Sequence, residues 1–212
     1  MGEIPPDARG PRASSFARIL VDCKQRSTHK LLVLRQDLGR TAMNCDRQPH
    51  LVGEIVALRP LVEDDFDDLY RVAADPLIWE QHPATDRHER AQFEAYFREA
   101  LASGGALTVL DACSKQIIGA TRYHGYEEKA GEIEIGWTFL SRACWGGSYN
   151  AEMKQLMLGH AFQFVRSVVL LIGPDNLRSR RAAEKIGAIC TGERTDGSGQ
   201  RSLVYEVTRP GG

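Results

Sequence analysis

From Leu51 onward the chain switches repeatedly between two hydrophobic periods, and each switch marks an element. The apolar stretch over 54–60 ends in proline and reads as a strand. Glu63, Asp64 and Asp65 then place acid where a helix N-terminus favours it, and Phe66, Leu69, Tyr70 and Ala73 recur at helical spacing behind them. Asp75-Pro76 stops this helix, and a weakly patterned loop runs to Thr85. Asp86, with Glu89 three residues later, has the form of a capping box. It precedes a second helix whose buried side is Phe93, Tyr96, Phe97 and Leu101, closed by Gly104-Gly105.

Strand periods follow over 106–112, 117–124 and 132–139, joined by short polar turns that imply an antiparallel meander. In the last of these, strict alternation puts Glu132, Glu134, Gly136 and Thr138 on one face and Ile133, Ile135, Trp137 and Phe139 on the other. Trp145-Gly146-Gly147-Ser148 leads into a helix over 149–165 with Met153, Leu156, Met157, Ala161 and Phe164 as its apolar stripe. The run over 168–172 is continuously apolar, as in a strand covered on both faces, so this segment reads as a βαβ unit with parallel pairing. Asp175 or Asn176 caps a short helix ending before Gly187, and two strands over 188–193 and 200–208 close the chain around Asp196-Gly197-Ser198-Gly199. The expected fold is α/β, with a mixed, largely antiparallel sheet of six or seven strands and helices on both faces.

Residues 1–50 lack this order. Their apolar pieces, 16–21 and 31–34, share no period, and we expect a poorly ordered extension, with Met43 as an alternative start and the domain itself over 51–209. The last strand is a candidate for pairing across a homodimer, and a monomer is equally compatible.

Composition narrows the function classes. Of 212 residues, 42% are hydrophobic and 26% charged, with a net charge of −1, which suits a globular domain and gives no global field for nucleic acid or membranes. The five cysteines have neither disulfide-framework nor zinc-ligand spacing, so we expect reduced thiols, no metal and a cytoplasmic location. No apolar run approaches the roughly 18–20 residues that span a bilayer. A nucleotide-binding reading is disfavoured because no Walker lysine follows the glycines.

A glycine loop between strand and helix can cradle pyrophosphate, since its backbone comes close and the helix N-terminus offers unpaired N–H groups. Alone this signal is weak. It gains weight from the block that begins at Gly173, roughly 26 residues on, in which Asn176-Leu177-Arg178-Ser179 is followed by Glu184-Lys185-Ile186-Gly187. Together with Glu134-Ile135-Gly136-Trp137 and Trp145 to Glu152, these motifs resemble the GCN5-related N-acetyltransferases, most of all the branch with the ribosomal-protein-alanine N-acetyltransferases.

That resemblance implies acetyl-CoA as cosubstrate and transfer to a primary amine, on a protein N-terminus or a small molecule. It implies that backbone N–H groups at Trp145, Gly146, Gly147, Ser148 and Tyr149 hold the pyrophosphate, and that the pantetheine arm lies between two splayed strands. Asn176 and Ser179 would meet the pantetheine or acetyl end, and an N–H near Thr138 or Phe139 would polarise the carbonyl. Glu134 is the candidate base and Ser179 a candidate proton donor, while Trp79, His82 and Glu132 would border the acceptor. Arg178 is either a phosphate ligand or part of a solvated face. The chain departs from the pattern at Ser148, where relatives carry glycine, and at Ala183, where many place an acidic tyrosine. Those departures favour the alternative reading, a CoA-binding module with little or no catalysis.

Overall fold

In the computed structural model, which describes residues 45–211, eight strands and four helices follow one another as the hydrophobic periods suggest. The strands are β1 (Leu51–Val52), β2 (Val56–Pro60), β3 (Ala106–Asp111), β4 (Ile117–Glu127), β5 (Glu132–Leu140), β6 (Ser167–Ile172), β7 (Ile189–Thr195) and β8 (Arg201–Thr208). The helices are α1 (Phe66–Ala73), α2 (Arg90–Ala102), α3 (Tyr149–Ala161) and α4 (Leu177–Lys185). The alternative start at Met43 and most of the expected extension lie outside the described residues.

One sheet holds all eight strands in the order β1-β2-β3-β4-β5-β6-β8-β7, and only β5 and β6 pair in parallel. The eighth strand, beyond the expected six or seven, is the two-residue β1. It is fixed by Glu152 of α3, whose carboxylate accepts the N–H groups of Glu54, Ile55 and Val56, each at 2.8 Å. A Cβ on Gly53 would stand 2.7 Å from that carboxylate carbon, so glycine is what lets the two meet.

Two cores cover the sheet. Met153, Met157 and Ala161 of α3 pack with Val56, Leu107, Ile133 and Ile135, while Leu69, Phe93, Tyr96 and Phe97 of α1 and α2 pack with Ala106, Ala120 and Phe139. Lys154 disturbs the polar reading of α3, for it is only 5% exposed among these apolar neighbours. β8 lies between β6 and β7 with both edges paired. The free edge at that end is therefore β7, not the last strand.

Three local expectations change. α2 begins at Arg90 with Glu89 in the cap position and no side-chain cap; the Asp86 carbonyl, not its carboxylate, takes the Glu89 N–H. α3 stops at Ala161, because tight turns over 161–165 displace the helical bonds expected to 165. The alternation of β5 breaks at Trp137, which has φ of +50°. Register passes from Ala120↔Phe139 to Arg122↔Gly136, so two β5 residues face one on β4. After this bulge Trp137 and Phe139 join the α1/α2 face with Glu134, and Leu140 joins the α3 face with Ile133 and Ile135.

Candidate active site

The sheet opens where β5 and β6 separate. Their parallel pairing covers Glu132↔Ser167, Ile133↔Val168 and Glu134↔Val169 and then stops, although β5 runs on to Leu140 and β6 to Ile172. Each strand keeps its other partner along the opening, β4 for β5 and β8 for β6. The result is a wedge between two rigid strands with Glu134 at its apex.

The glycine loop sits at the wide end. Trp145 pins it by donating its indole N–H to the Leu140 carbonyl at 3.0 Å, and the Tyr149 hydroxyl donates to Asp111 at 2.9 Å. Gly146 supplies the left-handed backbone, with φ of +72°, and a Cβ on Gly147 would meet open space. Ser148, at φ of −81°, is helical and unstrained, so the glycine of relatives is not required there; its side chain makes no cap. Among the described residues no protein acceptor takes the N–H groups of 146–151, which leaves an anion cradle at the start of α3. These features fit a pyrophosphate, and the wedge fits an extended arm.

Glu134 is half-buried and makes no hydrogen bond to any of the described residues. Burial pushes its carboxyl up to about 7, opposed by Arg194 and Arg122 and helped by Glu132. Glu132, its neighbour on the same face, is instead ion-paired to Arg194 at 2.9 Å. These two carboxylates of one strand face thus differ: Glu132 is committed to β7, and Glu134 is unpaired among the described residues at the apex.

Asn176 is 7% exposed and caps α4, its side-chain oxygen accepting the Ser179 N–H at 3.1 Å. Arg178 is no solvated residue. Its guanidinium lies 3.9 Å from the Trp145 ring centroid and donates to the Ile78 carbonyl at 2.7 Å, tying α4 to the glycine loop and to the 3-10 turn after α1. Ala183 is buried with Leu170, Ile172 and Tyr205. Ser179 is the one hydroxyl of the α4 motif.

Thr138, past the bulge, turns its hydroxyl to the α3 face, 2.8 Å from both Thr121 Oγ1 and Lys154 Nζ. Among the described residues Lys154 has no carboxylate partner, and burial pushes its ammonium down to about 7. Neither Lys154 nor the bulge announces itself in the sequence, since a helix pattern does not reveal where one lysine points.

On the α1/α2 face, Trp79 is buried against Phe139, with its indole N–H on the Ala73 carbonyl at 2.7 Å. His82 Nδ1 accepts the Ala84 N–H at 2.9 Å, and burial followed by Arg87 pushes the imidazole down to about 4, so it is neutral. Sequence reasoning missed Arg87 and Arg122, whose guanidiniums lie 4.7 and 5.8 Å from the Tyr96 ring centroid. Two surface concavities, one lined by Phe66, Arg90 and Phe97 and one by Val72, Asp75 and Arg142, include no residue of the splayed strands.

A mixed sheet with one parallel pair that splays beside a glycine loop defines a class of acyl-transfer fold. The chain belongs to the acetyltransferase (GNAT) domain family, whose sequence model matches residues 56–189, and it is accordingly an acetyl-CoA-dependent acetyltransferase. Solved structures share the fold. A GCN5-related N-acetyltransferase from Brucella melitensis is 22% identical with a TM-score of 0.67, over 76% of this chain and 79% of that one. A GNAT-family acetyltransferase from Bacillus anthracis is 17% identical with a TM-score of 0.64, over 76% and 98%. Mycobacterium smegmatis RimJ in complex with CoA-disulfide is 17% identical with a TM-score of 0.58, over 72% and 81%. No protein of curated function matches the chain significantly. No helix among the described residues is long and apolar enough to cross a membrane.

Proposed function

We propose that the domain over 51–209 acetylates a primary amine, on a protein N-terminus or a small molecule, by direct attack within a ternary complex, with Glu134 as general base. The observation that carries this reading is a carboxylate with no partner among the described residues, raised to about 7 by burial, at the apex of the strand wedge. When bound, acetyl-CoA supplies an activated thioester. The free N–H groups of 146–151 hold its pyrophosphate, and the edges of β5 and β6 flank the arm. To a backbone N–H near Thr138 or Phe139, which follow the positive-φ Trp137, we assign polarisation of the carbonyl oxygen.

Glu134 takes a proton from the ammonium, or from the amine as it attacks, directly or through water. The new bond is N–C, the bond that breaks is C–S, and the thiolate leaves. Ser179 is the nearest hydroxyl of the α4 motif to serve as proton donor, and a thiolate also leaves unaided at neutral pH. The unstrained Ser148 and the tuned Glu134 favour catalysis over a passive CoA-binding module. The resemblance to the ribosomal-protein acetyltransferase branch agrees with the RimJ fold likeness.

Thermal unfolding with acetyl-CoA, CoA, ATP or NAD in excess tests the cosubstrate. At 100 times its dissociation constant a ligand of the folded state adds about 2.7 kcal/mol. We expect that shift from acetyl-CoA and CoA; its absence with both, or an equal shift from ATP, removes the reading.

A further inference from the structure

The acceptor side of the wedge holds more positive charge than its own side chains neutralise. Arg122 of β4 is 1% exposed and is bonded only to Glu99 through Nη1 at 2.8 Å; its Nε and Nη2 are buried without any partner. The ring faces of Trp137, 4.6 Å away, and Tyr96 attract the cation but offer those N–H groups no lone pair. Arg87 also lies against the Tyr96 ring, at 4.7 Å, and stands 5.7 Å from the Trp79 ring centroid. Its one polar neighbour is His82 Nε2 at 3.4 Å. Because Nδ1 of that neutral ring accepts from Ala84, Nε2 carries the hydrogen and cannot accept from Arg87. Among the described residues, then, Arg87 has no acceptor and no carboxylate partner.

Both guanidiniums stand on the α1/α2 face, which Glu134 shares with Trp137 and Phe139, and Arg122 pairs across the sheet with Gly136, two residues from Glu134. Glu99 is the one carboxylate bonded there, and it is spent on Arg122. Arg122 is buried and Arg87 half-buried, and the carboxylates that act on them are Glu99, Asp86 and, when ionised, Glu134. The free guanidinium N–H groups meet none of these in a hydrogen bond and call for a further acceptor, such as an anion that arrives with the ligand. A polyamine would add to the charge, whereas an amine that carries its own carboxylate would offset it. Planar guanidinium forks suit a carboxylate in two-point contact.

From this we infer that the acceptor is an amine bearing a carboxylate, recognised by Arg87 with Arg122 behind it. The inference rests on the acetyl-transfer reading for the position of the amine, at Glu134, but the binding it requires does not depend on turnover. A free amino acid and an acidic peptide N-terminus share this chemistry.

The test is the melting temperature of the CoA-saturated protein with L-amino acids, each against its own amide, and with dipeptides ending in matched Asp and Asn amides. Stabilisation by amino acids over their amides supports the inference and identifies a free amino acid; a preference confined to the Asp peptides supports it with a peptide source. No preference in either arm, or a preference for the amides or for spermidine, overturns it. Arg87→Met should reduce the affinity ratio of acid to amide about tenfold or more, and Arg87→Lys should keep part of it. An unchanged ratio in folded Arg87→Met would also overturn the inference. Selective binding with no acetylated product would contradict the transferase reading alone.

Discussion

Lys154 Nζ stands 2.8 Å from the Thr138 hydroxyl, and among the described residues no carboxylate accompanies it into the space between α3 and β5. Burial lowers the folded-state value to about 7 from an ordinary 10.5. The unfolded chain therefore binds more protons than the folded one between these values, and stability rises with pH across that window by up to about 1.4 kcal/mol per pH unit. Lys154→Met keeps the length of the side chain and removes the titration. We expect the variant to be more stable than the parent near pH 7 and the difference to shrink towards pH 10, measured by urea unfolding. Parallel pH profiles for the two proteins would show that Lys154 keeps its charge when buried.

Glu134 has the opposite slope. Its folded value of about 7 lies above the ordinary 4.5, so the folded protein holds the extra proton between them and loses stability as pH rises through that range. Glu134→Gln removes this loss. Its melting temperature should exceed that of the parent by a few degrees at pH 8 and approach it near pH 4.5, a stability gain at the expense of function. A lower melting temperature at pH 8 would mean that the carboxylate has an unrecognised structural partner.

Gly146 and Gly147 should respond differently to side chains. A Cβ at Gly147 meets open space, so Gly147→Leu should fold normally and weaken acetyl-CoA binding by crowding the cradle. Gly146→Leu must also hold φ near +72°, at a cost of about 1–2 kcal/mol. Calorimetry and thermal unfolding together separate the two; equal affinity for acetyl-CoA in Gly147→Leu would place the phosphates elsewhere.

Glu152 belongs to the glycine-loop motif, yet its carboxylate faces away from the wedge into the backbone after β1. Desolvation raises its carboxyl, and the N–H groups of Ile55, Glu54 and Val56 more than reverse that, so it is held below the usual range. Glu152→Ala leaves three donors without this acceptor and should cost about 2 kcal/mol or more in denaturant unfolding. Unchanged stability would mean that water replaces the carboxylate without loss.

The sequence made the scaffold readable because amphipathic periods are local. Phe93, Tyr96 and Phe97 announce α2, and the run from Val168 to Ile172 announces a strand covered on both faces. Asn176, as a cap, was equally plain, since capping depends on the residue and the next three positions. The bulge at Trp137 was not readable: a period-two pattern continues through it in the sequence while the backbone reverses the faces of Thr138 and Phe139. Periodicity put Glu132 and Glu134 on one face without showing that Arg194, 62 positions away, pairs with the first. Arg87, Arg122 and Lys154 were missed for the same reason. Charge in a sequence carries no sign of whether a partner from elsewhere in the chain will meet it.

The most direct measurement is the pH dependence of acetyl transfer, read as thiol release from acetyl-CoA with a panel of amines between about pH 5.5 and 9, for the parent and for Glu134→Gln. With a base near 7, kcat/KM of the parent should climb through that pH as Glu134 ionises, and the Gln variant should lose that inflection and about 10²-fold or more of the rate while keeping its affinity for acetyl-CoA. An equal rate and an identical profile in the two proteins would remove Glu134 from the chemistry and contradict the account.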